Sequence, residues 1–349
     1  MTGTAPVRVT VVGYASLDSS TSVSEFRGVD ATSILERALV SAEPGVGGIA
    51  HIVSAIAGTP AAVEAISWVA DDLPGRRWAE SVARCAGIRG VARSGTRSPA
   101  ATMIEIGSGG TICLFDPGDC HPDALTDEQR EIVTEGDWLL LTVAPRRITE
   151  QILDALPDSA RLVWAVKHDD DAYTPEMVAR ILARADVVSF SRGERPYVTL
   201  DRRPPESLVR PGALVVETRG ADGVAWSFAS PDGAARPGSI AVEPVEAEDT
   251  TGAGDTFVGA LVGFLSDAVG PHSALASLDD EEVGRLVAGA STAAGELLRR
   301  RTATGPTATG PTPTGGPVAD PPATAPTAPG RPADASQPAE GPAHLKEKH

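Results

Sequence analysis

Residues 247–258 read A-E-D-T-T-G-A-G-D-T-F-V, so Asp249 and Asp255 bracket a short, glycine-bearing turn that leads straight into an apolar run. Asp and Thr ahead of such a run are ordinary helix caps, and the glycines are ordinary turn residues. The same residues at the same spacing can also do chemistry. At a helix start the backbone N–H groups of Gly252, Ala253 and Gly254 lack helical partners, and with the helix dipole behind them they form an anion hole. Glycine lets a phosphate approach the backbone where a β-carbon would obstruct it. A carboxylate at Asp255 can reach a substrate hydroxyl and accept its proton. The reaction served by such a pair is phosphoryl transfer to an alcohol, which needs a proton acceptor, compensation of charge on the phosphoryl oxygens and in-line positioning. The plainer reading, open at this point, is a first-turn acid that favours the dipole by about 0.3–1 kcal/mol.

Such a turn works only if a scaffold holds it, and the chain supplies the pattern of one. Short β-branched runs alternate with segments of helical period, as in a parallel sheet with helices on its faces. Strands are expected at 7–13, 61–69, 137–143, 161–167, 186–191 and 213–220, and helices at 49–57, 73–86, 148–156 and 175–185. Segments 223–228 and 239–244 suit antiparallel edge strands, and two helices follow the opening turn. One stretch breaks the rhythm. Residues 100–116 are two alternating runs joined by G-S-G-G, a hairpin signal. That hairpin, within 97–117, and part of 14–44 are expected to form a small β lid outside the main sheet.

With 42% hydrophobic residues, a chain of 349 is long enough for a large core. From 302 to 349 it is rich in Pro, Ala, Thr and Gly and is expected to be a disordered tail, leaving 1–301 as one folded domain. The formal charge is −17, and the tail holds four acids against three bases, so the excess belongs to the body. An acidic body argues against nonspecific binding to nucleic acid or an anionic membrane. Cys85, Cys113 and Cys120 lack C-x-x-C spacing, which suggests neither a disulfide framework nor a zinc site and fits a reducing cytoplasm. No apolar run reaches membrane-spanning length, and the first residues read as a strand rather than a signal peptide. A cytoplasmic protein is expected.

The string D-T-T-G-A-G-D-T-F resembles the second signature of the PfkB, or ribokinase-like, family of sugar and nucleoside kinases. Four other stations follow in the family's order. G-Y-A-S-L-D (13–18) is similar to its substrate-binding start, where an acid at Asp18 holds sugar hydroxyls, and a carboxylate can accept two of them. P-G-V-G-G-I-A-H (44–51) looks like its glycine-rich first signature, which makes Gly45 and Gly47 substrate-side residues. V-V-S-F-S-R-G-E (187–194) looks like its N-x-x-E element, with Glu194 in the place associated with magnesium through water. E-T-R-G-A-D-G-V (217–224) is similar to the segment lining the nucleotide phosphates, which gives Thr218, Gly220 and Gly223 that task. For Asp249 two roles stay open, a cap of the turn or a holder of a monovalent cation such as K+. The chain departs from the family at two places: Gly48, Ile49 and His51 stand where a sugar-contacting Asn is usual, and Ser191 replaces the Asn of N-x-x-E.

The resemblance implies a three-layer α/β/α ribokinase-like fold with a central, mostly parallel sheet, and ATP-dependent phosphorylation of a sugar or nucleoside hydroxyl with Mg2+. Asp255 is then the general base and the amides of residues 252–254 the anion hole. A catalytically degenerate ligand sensor or scaffold is the competing reading. No G-x-G-x-x-G follows the first strand and no G-x-x-x-x-G-K-[ST] occurs, which sets aside dinucleotide-binding and P-loop classes. His51 reads as a structural histidine. Lys167 and Asp169 read equally as phosphate-facing or as a solvated turn, and Tyr14 and Phe115 are the stacking candidates. Few basic residues lie near the expected acceptor pocket in sequence, which points away from phosphorylated sugars. A homodimer through the lid is compatible with the pattern.

Overall fold

A computed structural model describes residues 5–36, 44–107, 109–230, 236–247, 250–271 and 273–303. In chain order the elements are β1 (Arg8–Val12), β2 (Ala15–Val23), β3 (Gly45–Gly48), α1 (Ala50–Ala57), β4 (Ala62–Val69), α2 (Leu73–Val82), β5 (Gly87–Arg93), β6 (Ala100–Ile106) and β7 (Thr111–Asp116). Then come α3 (Asp127–Glu135), β8 (Trp138–Leu141), α4 (Arg146–Ala155), β9 (Arg161–Ala165), α5 (Pro175–Arg184), β10 (Val187–Ser191), β11 (Leu214–Thr218), β12 (Val224–Phe228), β13 (Arg236–Ile240), α6 (Ala253–Val269) and α7 (Asp280–Ala303).

Nine strands form one sheet in the order β13-β12-β11-β10-β9-β8-β1-β4-β5. It is parallel from β5 to β11, and β12 and β13 close one edge antiparallel. The central parallel strands β8, β9, β10 and β11 are largely apolar because both faces are covered. Along β1, Val9 and Val11 turn to the layer of α1, α2, α6 and α7, while Val12 turns to that of α3, α4 and α5. Trp138 and Leu140 of β8 face the first layer, and Leu139 and Leu141 the second. Each such fully buried aliphatic side chain contributes about 1.5–3 kcal/mol. This is the expected α/β/α architecture.

A second, four-stranded sheet runs β3-β2-β6-β7. The β6–β7 hairpin is where the alternation places it, and β2 joins it parallel to β6, with Leu17 opposite Ala100 and Val23 opposite Ile106. Trp78 of α2 donates its indole N–H to the Gly47 carbonyl at 3.0 Å, which moors this sheet to the body.

Several boundaries differ from the sequence reading. The last edge strand is Arg236–Ile240 rather than 239–244, and α2 stops at Val82. Helix α3 and strand β5 are additional elements. Helix α7 runs to Ala303, two residues into the expected tail, and the rest of that tail, 304–349, lies outside the described residues.

Candidate active site

The site forms at the C-terminal ends of the parallel strands. Strand order reverses around β1, since later strands lie on both sides of it, and such a switch point leaves a crevice between loops that diverge. Tyr14, just past β1, donates its amide to the Val143 carbonyl at 3.0 Å across that crevice.

Asp18 stands on β2 between Gly45 of β3 and Ala101 of β6, opposite both. The Ser16 hydroxyl donates to its carboxylate. A β-carbon on Gly47 would overlap that carboxylate, so this glycine makes the room Asp18 occupies. Gly48 has φ 60°, and a side chain there would strike the Tyr14 carbonyl. Burial pushes the Asp18 carboxyl above the usual range; the Ser16 hydrogen bond, His51 and Arg301 oppose the shift, and the charge of Asp255 adds to it. Asp18 and Asp255 therefore feel one another, although 237 residues of sequence separate their positions.

The turn before α6 is left-handed at Gly252, with φ 76°, and a β-carbon there would run into the His51 ring. Only glycine satisfies both constraints. The first helical bond runs from the Thr256 amide to the Gly252 carbonyl at 2.8 Å. The Ala253 amide, expected to be open, donates to the Thr250 carbonyl at 3.2 Å. The amides of Gly254 and Asp255 have no backbone acceptor among the described residues, and the space where a Gly254 side chain would stand is empty. Asp255 Oδ1 lies 3.0 Å from Lys167 Nζ, with the carboxylate side chain 18% and the lysine 44% exposed. The Asp255 carboxylate, and more weakly Glu194 and Cys113, hold the Lys167 ammonium above the usual lysine range against its burial. Asp249 lies outside the described residues.

Glu194 ends a single 3-10 turn after β10. Its Oε2 accepts from the Ser191 amide at 2.7 Å and the Ser191 hydroxyl at 2.8 Å, so the serine that replaces the usual Asn fixes this carboxylate through one oxygen. Thr218 closes β11, and Gly220 (φ 59°) and Gly223 (φ 91°) shape the turn into β12. A side chain on Gly223 would collide with the Ile240 carbonyl, whereas the position above Gly220 is open. Arg192 reaches Asp222 at 2.8 Å, tying this turn to the one bearing Glu194. Among the described residues no three His, Cys, Asp or Glu side chains gather into a metal cage.

The small sheet carries Asp18 and the residues beside it. Register places Asp18, Ala101 and Phe115 in one row across β2, β6 and β7, with Met103 and Cys113 in the next row on the same face. Tyr14 packs on Phe115 at 5.3 Å and on His121 at 4.7 Å between ring centroids. Burial drops the His121 imidazole to about 4, so it is neutral at pH 7. The two stacking candidates thus meet each other.

Lys167, His51 and Arg301 are the residues whose place the linear order concealed. Arg301, in the last turn of α7, lies 3.4 Å from His51 Nε2. The scarcity of basic residues expected around the pocket does not hold, because these three come from β9, α1 and α7. The one sequence signal for His51 is its place in the glycine-rich stretch where an Asn is usual.

Among the described residues no helix is long and apolar enough to cross a membrane. The chain is 37% identical over 108 residues to a fructokinase of Vibrio alginolyticus, a match that spans 30% of this chain and 32% of that protein. Its fold is similar to that of a ribokinase from Giardia lamblia (TM-score 0.66, 16% identity, 86% of this chain and 97% of that one). It is also similar to a fructokinase with bound ATP from Xylella fastidiosa (0.64, 16%, 84% and 92%) and to a Burkholderia thailandensis nucleoside kinase in complex with inosine (0.61, 16%, 83% and 91%). The model of the pfkB family of carbohydrate kinases matches residues 9–307, from the first strand through the turn at Gly252 to the end of the last helix, and the chain belongs to that family.

Proposed function

We propose that the protein transfers the γ-phosphoryl group of ATP to a hydroxyl of a sugar or nucleoside. The observation that carries this reading is the start of α6, where open amides and a carboxylate share one turn, and the charge of that carboxylate acts on Asp18. The amides of Gly254 and Asp255, at the positive end of a helix of 17 residues, offset the negative charge of the phosphoryl oxygens. Asp255 accepts the proton of the acceptor hydroxyl, and Asp18 holds neighbouring hydroxyls so that the attacking oxygen lies in line. On the other bank Thr218, Gly220 and Gly223 carry the nucleotide phosphates.

Glu194, with one oxygen fixed by Ser191, suits a magnesium ion held through water, and a single carboxylate fits an ion that arrives already bound to nucleotide phosphates. Magnesium supplies charge neutralisation at the β- and γ-oxygens. Asp249 is retained as the candidate for a monovalent cation. The small sheet serves as a lid that excludes water from the acceptor. Support for ATP as the donor comes from the likeness to a fructokinase with bound ATP.

The test is coupled ADP release over a panel of sugars and nucleosides, with magnesium, and with and without potassium. Acceptor-dependent release that vanishes in Asp255→Asn supports the reading. Tight ATP binding without turnover on any acceptor would replace it with a ligand sensor built on the same fold.

A further inference from the structure

Proton transfer to Asp255 leaves Lys167 unexplained, and as the residues stand the lysine opposes it. An ammonium hydrogen-bonded to the carboxylate occupies an oxygen lone pair that the acceptor's proton needs and stabilises the charged, unprotonated form. Nζ stands 3.0 Å from Oδ1, so the lysine holds one of the two carboxylate oxygens. The lysine stem is only partly covered. Its side chain is 44% exposed, and a four-carbon stem carrying three donors can re-aim without backbone movement. It also stands at a junction, since the charge of Glu194 on the nucleotide bank acts on it. The open amides of Gly254 and Asp255, where a γ-phosphate would settle, belong to the same turn as the carboxylate it holds.

We propose that Lys167 is a phosphoryl ligand that exchanges Asp255 for the γ-phosphate of ATP, so the base is released only when a transferable phosphoryl group is bound. This rests on the assignment of Asp255 given above. In the resulting step the acceptor oxygen forms a bond to the γ-phosphorus while the bond from that phosphorus to the bridging oxygen of ADP breaks. The electron pair leaves on ADP, the hydroxyl proton goes to Asp255, and Lys167 stays protonated throughout, following the transferred group. A γ-phosphate carries more negative charge than a carboxylate, which sets the direction of the exchange. ADP lacks that group and leaves the ion pair intact.

The exchange predicts a competition that an ordinary ion pair would not show. Calorimetry gives the affinities for a non-transferable ATP analogue and for ADP, and their ratio isolates the γ-phosphate. Lys167→Met should lower that ratio by roughly tenfold or more, with ADP affinity unchanged, and Lys167→Arg should keep most of it. Asp255→Asn should raise the ratio severalfold, because the competing carboxylate is gone. Turnover in Lys167→Met should fall about 100-fold. An unchanged ratio in Lys167→Met, or a ratio in Asp255→Asn that stays level or falls, overturns the proposal. The Asp255→Asn arm decides the matter even if Lys167→Met does not fold. Should the ratios move as stated while no acceptor elicits ADP release, the kinase reading fails and the Lys167 exchange stands. Should Asp255→Asn abolish turnover with both ratios fixed, the reverse holds.

Discussion

Asp255 and Asp18 are the same residue type, near enough for one charge to act on the other, and they are built in opposite ways. Asp255 rides the first turn of a long helix, its conformation set by neighbours in sequence, with an ammonium at 3.0 Å. Asp18 sits on a short-sided sheet of four strands drawn from across residues 15–116, in space that the missing side chain of Gly47 leaves, with a serine hydroxyl as its hydrogen-bond partner. The first is placed by local backbone geometry and the second by strand register. In the proposed mechanism the proton acceptor, which must be reproducible to within a fraction of an ångström, rides the helix, and the group that adapts to an acceptor is on the small sheet.

The sharpest way to break this contrast is to neutralise each acid. Asp255→Asn should cut kcat by about 10²–10⁴-fold with little change in acceptor KM, as expected for a lost general base. Asp18→Asn should act in the other parameter, raising acceptor KM by roughly 10–100-fold through weakened charge-assisted hydrogen bonds. If both variants lost kcat alone, the division of labour drawn here would be wrong.

Glycine substitutions test the supports. Gly47→Ala drives a methyl group into the Asp18 carboxylate and should lower stability by about 1–3 kcal/mol in urea unfolding, together with acceptor affinity. Gly254→Ala meets open space and should unfold at or above the wild-type urea midpoint while weakening ATP binding, since its methyl group shades the amides. Equal loss of stability in the two would mean the helix start is as tightly packed as the sheet.

Titration separates the regions more gently. Burial raises the folded pKa of Asp18 above its ordinary value of about 3.9. The fold therefore favours the protonated form, and this contribution is complete below the ordinary value and is lost as pH rises through the folded one. Asp18→Asn should flatten that part of the stability profile in thermal melts. At the base of the same sheet Asp119 behaves inversely. It accepts from the Thr96 hydroxyl and from the Arg97 and Thr96 amides, which hold it at about 2. Its contribution is present above about 3.9 and is lost as pH falls toward about 2, and Asp119→Asn should remove this acid-side dependence. This is the smallest effect, because the group is exposed to solvent.

Legibility in the sequence followed the same division. The buried parallel strands announce themselves as apolar runs, and the β6–β7 hairpin as an alternation around glycines. Strand β2, A-S-L-D-S-S-T-S-V, carries hydroxyls on its faces and shows no apolar alternation; it is a strand because β6 pairs with it across 7 residues. Strand β5, G-I-R-G-V-A-R, has two glycines and half-buried side chains, so propensity speaks against it while pairing with β4 holds it. Helix α3 buries little beyond Gln129, Ile132 and Val133, too few for a periodic stripe, although its T-D-E-Q start forms a capping box that was there to be read.

What the sequence determined by itself is the chemistry that is contiguous: a glycine turn, open amides and an acid within one helical turn, where covalent connection fixes geometry to within the freedom of a few dihedral angles. What only the tertiary structure decided is which charges meet that turn. Lys167 reaches Asp255 from the end of β9, His51 fills the space beside Gly252 from α1, and Arg301 approaches His51 from the last turn of α7. Each of those meetings depends on the order of strands in the sheet and the packing of helices on its faces. Coulomb interactions act across space rather than along the chain, so no local pattern of residues encodes them.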